Sequence, residues 1–110
     1  MQSSTRIANW DDARAECKKN GGDLAIIANQ ATQGFLVGNI KIKTYTWIGA
    51  EKKSGIWSWR DGTTWTGYAK WQSGQPSSGP SDESVVLNSD YDWYDTSKSS
   101  PRYYLCQFYV

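Results

Sequence analysis

Histidine is absent from the 110-residue chain, and cysteine occurs only twice. Without imidazole the chain lacks the commonest general base, the usual partner of a Ser or Cys nucleophile and the commonest zinc ligand. The two cysteines, Cys17 and Cys106, are too far apart in sequence to form a Cys-x-x-Cys metal or redox clip. An excess of one charge is lacking too. Lys and Arg number 12 against 11 Asp and Glu, for a formal net charge of +1, so there is no electrostatic reason to expect nucleic acid or an anionic membrane surface. No apolar run approaches the roughly 20 residues that span a bilayer. Met1-Gln2-Ser3-Ser4-Thr5 lacks the apolar stretch of a signal peptide, so a secreted protein would be represented by its mature form, with Met1 as an expression start.

What the chain does have is aromatic. Seven Trp and seven Tyr exceed what surface chance supplies; much of this load belongs in a core, and the rest favours surfaces that bind sugars or proteins. The length suits one domain, residues 1–110, with a single core. Two cysteines in a Trp-rich, loop-rich chain suggest a structural disulfide and an oxidising, extracellular compartment. The alternative is a pair of buried thiols in a cytosolic protein.

Along the chain, the first third has helical signals. Asn9 is a good N-cap, Asp11 and Asp12 fall in the first turn, Lys18 and Lys19 in the last, and Asn20-Gly21-Gly22 stops the helix. Trp10, Ala13 and Cys17 recur at i, i+3 and i+7, which buries one face and the cysteine with it. A second helix starts at Asn29 and runs through Gln33, Phe35 and Leu36 to Gly38, with Asp23–Ile27 as a short buried connector or strand between. Strands are predicted for Thr44–Gly49, for Ile56–Trp59 closed by Asp61-Gly62, for Ser84–Asn88 and for Tyr103–Val110. From Trp65 to Asp82 the chain is dominated by Gly, Ser, Pro and Gln without period, and a loop of that length inside a compact domain is usually functional. Helices followed by strands indicate an α+β domain.

The order of these residues carries a resemblance. Asn9-Trp10, Ala13 and Cys17 are followed by Gly21-Gly22-Asp23-Leu24-Ala25, Gln33-x-Phe35-Leu36 and Thr46-Trp47-Ile48-Gly49. Then come Trp57-x-Trp59-x-Asp61-Gly62, Trp71-x-x-Gly74-Gln75-Pro76, Trp93-Tyr94-Asp95 and Tyr104-Leu105-Cys106. Over nearly its whole length the chain resembles a C-type lectin-like domain. The resemblance implies two helices flanking a small antiparallel sheet with a long irregular ligand-binding loop, and a disulfide from Cys17 in the first helix to Cys106 in the last strand.

It also implies a site. In that family a calcium ion is held by side-chain oxygens of the long loop and a neighbouring strand, and two vicinal sugar hydroxyls complete its shell, which suits a hard cation taking 6 to 8 oxygens. Gln75-Pro76-Ser77 stands where the family has Glu-Pro-Asn or Gln-Pro-Asp, with the proline normally cis. Glu83 stands for a further acidic ligand, and Trp93-Tyr94-Asp95 for Trp-Asn-Asp. The resemblance therefore assigns calcium to Gln75, Ser77, Glu83 and Asp95, and sugar to these residues with Tyr94. Two departures reduce the donor set: Ser77 offers a hydroxyl, and Tyr94 replaces an amide. Gln at the first position resembles the galactose-type arrangement rather than the mannose type, with Tyr94, Trp65 or Trp71 as the ring beneath the sugar, although Trp71 and Trp93 are mainly core in the family. A second family disulfide, which braces the loop, is missing; aligning from Glu83 and Trp93 places Val85 and Lys98 at its positions.

Two functions follow as expectations. One is a calcium-dependent, galactose-type lectin, secreted, with a glycan or glycoprotein ligand and homo-oligomerisation for avidity. The other is a calcium-independent module that uses the same loop on a protein, ice or mineral surface. Catalysis by Asp90, Asp92 and Asp95, with Asp90 and Asp92 on one face of a strand, is a third class, and the expectation is that the protein is not an enzyme.

Overall fold

Each helix begins where an asparagine caps it. In a computed structural model describing residues 1–65, 67–76, 79 and 82–108, Asn9 Oδ1 accepts from the Asp12 N–H at 2.8 Å and opens α1, Trp10–Lys19. Asn29 Oδ1 accepts from the Thr32 N–H at 2.9 Å and opens α2, Gln30–Asn39. Gly21 ends α1 with φ of +90°, a conformation that costs any residue with a Cβ. Trp10, Ala13 and Cys17 are buried as their spacing requires, and the Cys17–Cys106 disulfide is present, with 5.5 Å between the two Cα atoms.

The strands are β1 (Gln2–Ser3), β2 (Gly22–Leu24), β3 (Thr46–Lys53), β4 (Ile56–Trp59), β5 (Ser84–Leu87), β6 (Trp93–Thr96) and β7 (Tyr103–Phe108). They form a sheet in the order β1-β7-β3-β5-β6, with β2 also on β7 and β4 also on β3. The expected antiparallel sheet is in fact mixed, because β3 and β7 run parallel, Thr46 beside Tyr103 and Trp47 beside Tyr104. Strand β6 was not expected: its Trp-Tyr-Asp-Thr run is short and polar, and it forms because β5 pairs with it residue for residue, Ser84 to Thr96 through Leu87 to Trp93.

Alternation divides the sheet into two cores. Trp47, Val86, Tyr104 and Cys106 pack with Trp10, Ala13, Cys17 and Leu24 under α1. Ile48, Ala50, Val85, Leu87, Trp93 and Leu105 pack on the opposite side with Ile27, Leu36 and Trp59. Both faces of β5 are therefore buried, which is why Ser-Val-Val-Leu shows no period of two. Three buried tryptophans satisfy their N–H groups: Trp10 Nε1 donates to Ile48 O at 2.9 Å, Trp47 Nε1 to Ala8 O at 2.9 Å and Trp93 Nε1 to Gln33 Oε1 at 3.2 Å.

The same alternation corrects the position of the missing brace. Val85 pairs with Asp95 and faces the second core, whereas Lys98 lies over the Trp10 ring, 4.6 Å from its centroid, on the α1 side. The strand residue that shares the Lys98 side is Ser84, opposite Thr96 and Glu51. There Lys98 Nζ donates to Glu51 Oε1 at 3.0 Å, and the Glu51 side chain is 5 % exposed. An ion pair thus links β3 to the segment after β6. Without Lys98, the buried Glu51 carboxylate would keep only the exposed Lys53 ammonium at 3.7 Å, a weaker compensation. Lys98→Met is expected to cost about 2 kcal/mol in urea denaturation, and Glu51→Gln added to it is expected to recover part of the loss. A loss below about 1 kcal/mol for the single variant would refute this role.

Candidate functional site

The long loop leaves β4 through a tight turn. Asp61 Oδ1 accepts from the Thr63 N–H at 3.0 Å and from its hydroxyl at 2.7 Å, and these bonds hold the Asp61 carboxyl below the usual carboxylate range. The chain then enters an aromatic cluster. Trp57 and Trp65 stack at 5.6 Å, Trp65 and Trp71 lie 5.5 Å apart, and Trp65 meets the edge of Trp93 at 5.2 Å. Tyr68 lies edge-on to Trp93, and burial pushes its phenol up from the ordinary value. The backbone fastens the loop to the start of β6: Trp93 N donates to Lys70 O at 2.7 Å, and Gln72 N donates to Trp93 O at 2.9 Å.

From this root the chain turns toward Gln75. Gln75 N donates to Gln72 O at 2.9 Å, and the Gln75–Pro76 peptide is cis. Gln75 Oε1 is buried and has no hydrogen-bond partner among the described residues. Asp95, on β6, is 2 % exposed and lies on the Trp93 side of the sheet rather than the α1 side. Glu83 is half-buried; its N–H donates to Thr96 O at 3.2 Å and its carbonyl accepts from Lys52 N at 2.7 Å. These bonds anchor the Glu83 backbone just before β5, between Lys52 and Thr96. Ser77 lies outside the described residues.

Tyr94 is set apart from this group. Adjacent strand residues point to opposite faces, and Tyr94 goes to the α1 side, where it packs against that core and lies 5.6 Å from Tyr45. The expectation that it sits beside the ligands is therefore corrected. Trp93 is fully buried, and Trp71 and Trp65 are half-buried, so the latter two remain as rings beside the loop. The acidic trio is also dispersed. Asp90 is exposed in a turn in which Asn88 Oδ1 accepts from the N–H groups of Asp90 and Asp92, and Tyr91 has φ of +65°, so no strand places Asp90 and Asp92 on one face.

One residue near the loop had no signal in the sequence. Lys52 Nζ donates to Gly79 O at 3.2 Å and lies 5.5 Å from the Trp57 ring centroid. Its neighbour Lys53 made the pair read as a solvated corner; the difference comes from β3, which turns Lys52 to the Trp57 side and Lys53 to Glu51. Among the described residues, no three Asp, Glu, Cys or His side chains converge as a metal cluster. None of the described helices is long and apolar enough to cross a membrane.

Comparison with known proteins agrees with this architecture. The family model described as the lectin C-type domain matches residues 6–108. CD209 antigen-like protein A of Mus musculus is 28 % identical over 103 residues, covering 90 % of the chain and 43 % of that protein. The galactose-specific lectin nattectin of Thalassophryne nattereri is 38 % identical over 74 residues, covering 62 % of the chain and 46 % of that protein. The chain thus spans less than half the length of either. Among solved structures, a calcium-independent type II antifreeze protein superposes with a TM-score of 0.81 at 30 % identity, covering 94 % of the chain and 81 % of that one.

Proposed function

Because the chain belongs to the C-type lectin domain family, we propose that it is an extracellular carbohydrate-binding module whose long loop takes calcium and a galactose-type sugar. The observation that carries this reading is Gln75 Oε1, a buried carbonyl oxygen without a hydrogen-bond partner among the described residues. An orphaned acceptor of this kind is costly, and a hard cation satisfies it. The donor chemistry fits: Gln75 offers an amide oxygen, and Glu83 and Asp95 offer carboxylates. When bound, calcium would supply the positive centre to which two sugar hydroxyls coordinate. Gln75, Glu83 and Asp95 accept hydrogen bonds from those hydroxyls and set their orientation, while Trp65 or Trp71 offers a ring to the apolar face of the sugar. With two carboxylates, the affinity belongs in the range of extracellular modules, roughly 10⁻⁴ to 10⁻³ M.

Lys52 favours a second reading. Its ammonium already donates into the loop at Gly79 O, so the loop has a resident cation that orders it without a metal. The calcium-independent antifreeze protein shares this fold, and on this reading the loop meets a protein or surface ligand.

Calcium titration followed by tryptophan fluorescence and thermal stability separates the two. The calcium reading expects a rise in melting temperature at millimolar calcium, retention on galactose resin reversed by chelator, and loss of both in Asp95→Asn. No shift at millimolar calcium together with no retention on the resin would overturn it. The disulfide supports the extracellular assignment, and multivalent presentation would raise the avidity of a weak single site.

A further inference from the structure

At the far end of β3 from the long loop, a cleft of about 220 Å³ is lined by Ser3, Thr5, Lys41, Lys43, Thr46 and Tyr103, together with Ser4. No carboxylate lines it. Neither lysine has an acidic partner among the described residues, and both are exposed at the rim. Ser4 Oγ is engaged, donating to Arg6 O at 2.6 Å and accepting from Tyr104 N at 3.0 Å, and Thr46 Oγ1 donates to Thr44 O at 2.7 Å. The Ser3, Thr5 and Tyr103 hydroxyls have no protein partner among the described residues. Two lysines and three unengaged hydroxyls, with no carboxylate among the lining residues, form a recess suited to a tetrahedral oxyanion.

We propose that this cleft is a second ligand site, independent of calcium, that takes the sulfate ester of an anionic sugar. The volume holds a sulfate group and part of its ring, and the hydroxyls that an oxyanion leaves unused suit the hydroxyls of a sugar. A membrane surface fits less well: polybasic lipid recognition uses clusters of 4 to 8 cations, whereas this cleft has two lysines on a chain of net charge +1. Thr46 and Lys52 stand at opposite ends of the cleft-to-loop run of β3, six residues apart and so separated by about 20 Å. The cleft and the long loop are therefore distinct, and the cleft does not rest on the calcium reading.

The test is calorimetric titration in chelator with a heparin-derived tetrasaccharide and with its desulfated counterpart. Wild type and Asp95→Asn are expected to bind the sulfated probe equally and the desulfated one at least tenfold more weakly. The double variant Lys41→Gln/Lys43→Gln is expected to bind about tenfold more weakly than wild type, to lose most of the salt dependence and to keep its melting temperature. Equal binding of the two probes, or unchanged affinity in the double variant, would overturn the proposal. So would lysine-dependent binding to phosphatidylserine vesicles without binding of the tetrasaccharide, which would make the cleft a lipid site.

Discussion

Trp93→Ala is expected to destabilise the protein by about 4 kcal/mol, near the middle of the range for deleting a buried aromatic ring. Trp93 has no exposed surface, and Trp59, Trp65, Trp71 and Tyr68 all present their rings to it within 6.1 Å. Its indole N–H satisfies Gln33 Oε1, a buried acceptor that truncation would strand. A loss of this size removes a large part of the 5 to 15 kcal/mol that holds a typical domain together. The urea midpoint, read by far-UV circular dichroism so that loss of the fluorophore does not confuse the signal, should fall by roughly 2 M with the slope unchanged. Trp57→Ala, at a half-buried ring beside the same cluster, should cost less than half as much. Equal losses for the two variants would mean that Trp93 is no keystone.

The second large effect is covalent. Reducing Cys17–Cys106, or replacing both residues with alanine, frees a chain segment whose ends are 89 residues apart in sequence. On the loop-entropy account this costs about 4 to 5 kcal/mol. It differs from the Trp93 variant in mechanism, because it expands the unfolded chain instead of hollowing the folded one. The denaturant slope should therefore rise, and the melting temperature of the reduced protein should fall. Full retention of that temperature would show that α1 is held to β7 by packing alone. On the calcium reading proposed above, chelation should by contrast loosen the loop around Gln75 and leave β5, β6 and the Trp93 cluster intact.

Much of this was legible in the sequence because the signals are local. Asn9 and Asn29 announce their helices by capping chemistry, and Trp10, Ala13 and Cys17 mark the buried face by spacing. The turn after Trp59 follows from Asp61-Gly62. The misreadings involve register, which is set by pairings between residues far apart in sequence. Val85 and Ser84 are neighbours, yet only pairing with β6 shows that Ser84 shares the Lys98 side and Val85 does not. Tyr94 was displaced from the site for the same reason, since strand alternation separates it from Asp95. Lys52 and Lys53 look equivalent in a sequence, and β3 sends one to the loop and the other to Glu51. Gln75 was legible as a position through the resemblance, but its unpartnered oxygen is a property of the folded loop.

The pairing of β1 with β7, Gln2 opposite Cys106, has an architectural consequence. The two ends of the described chain run side by side, at the end of the strand order opposite β6. Whatever is joined to either end leaves from that one edge, like a plug wired from the back, so a neighbouring segment need not cross the end of the sheet that carries β6 and the root of the long loop. The same closeness would let a short peptide bridge old ends while new ones are opened at an exposed turn such as Ser54-Gly55.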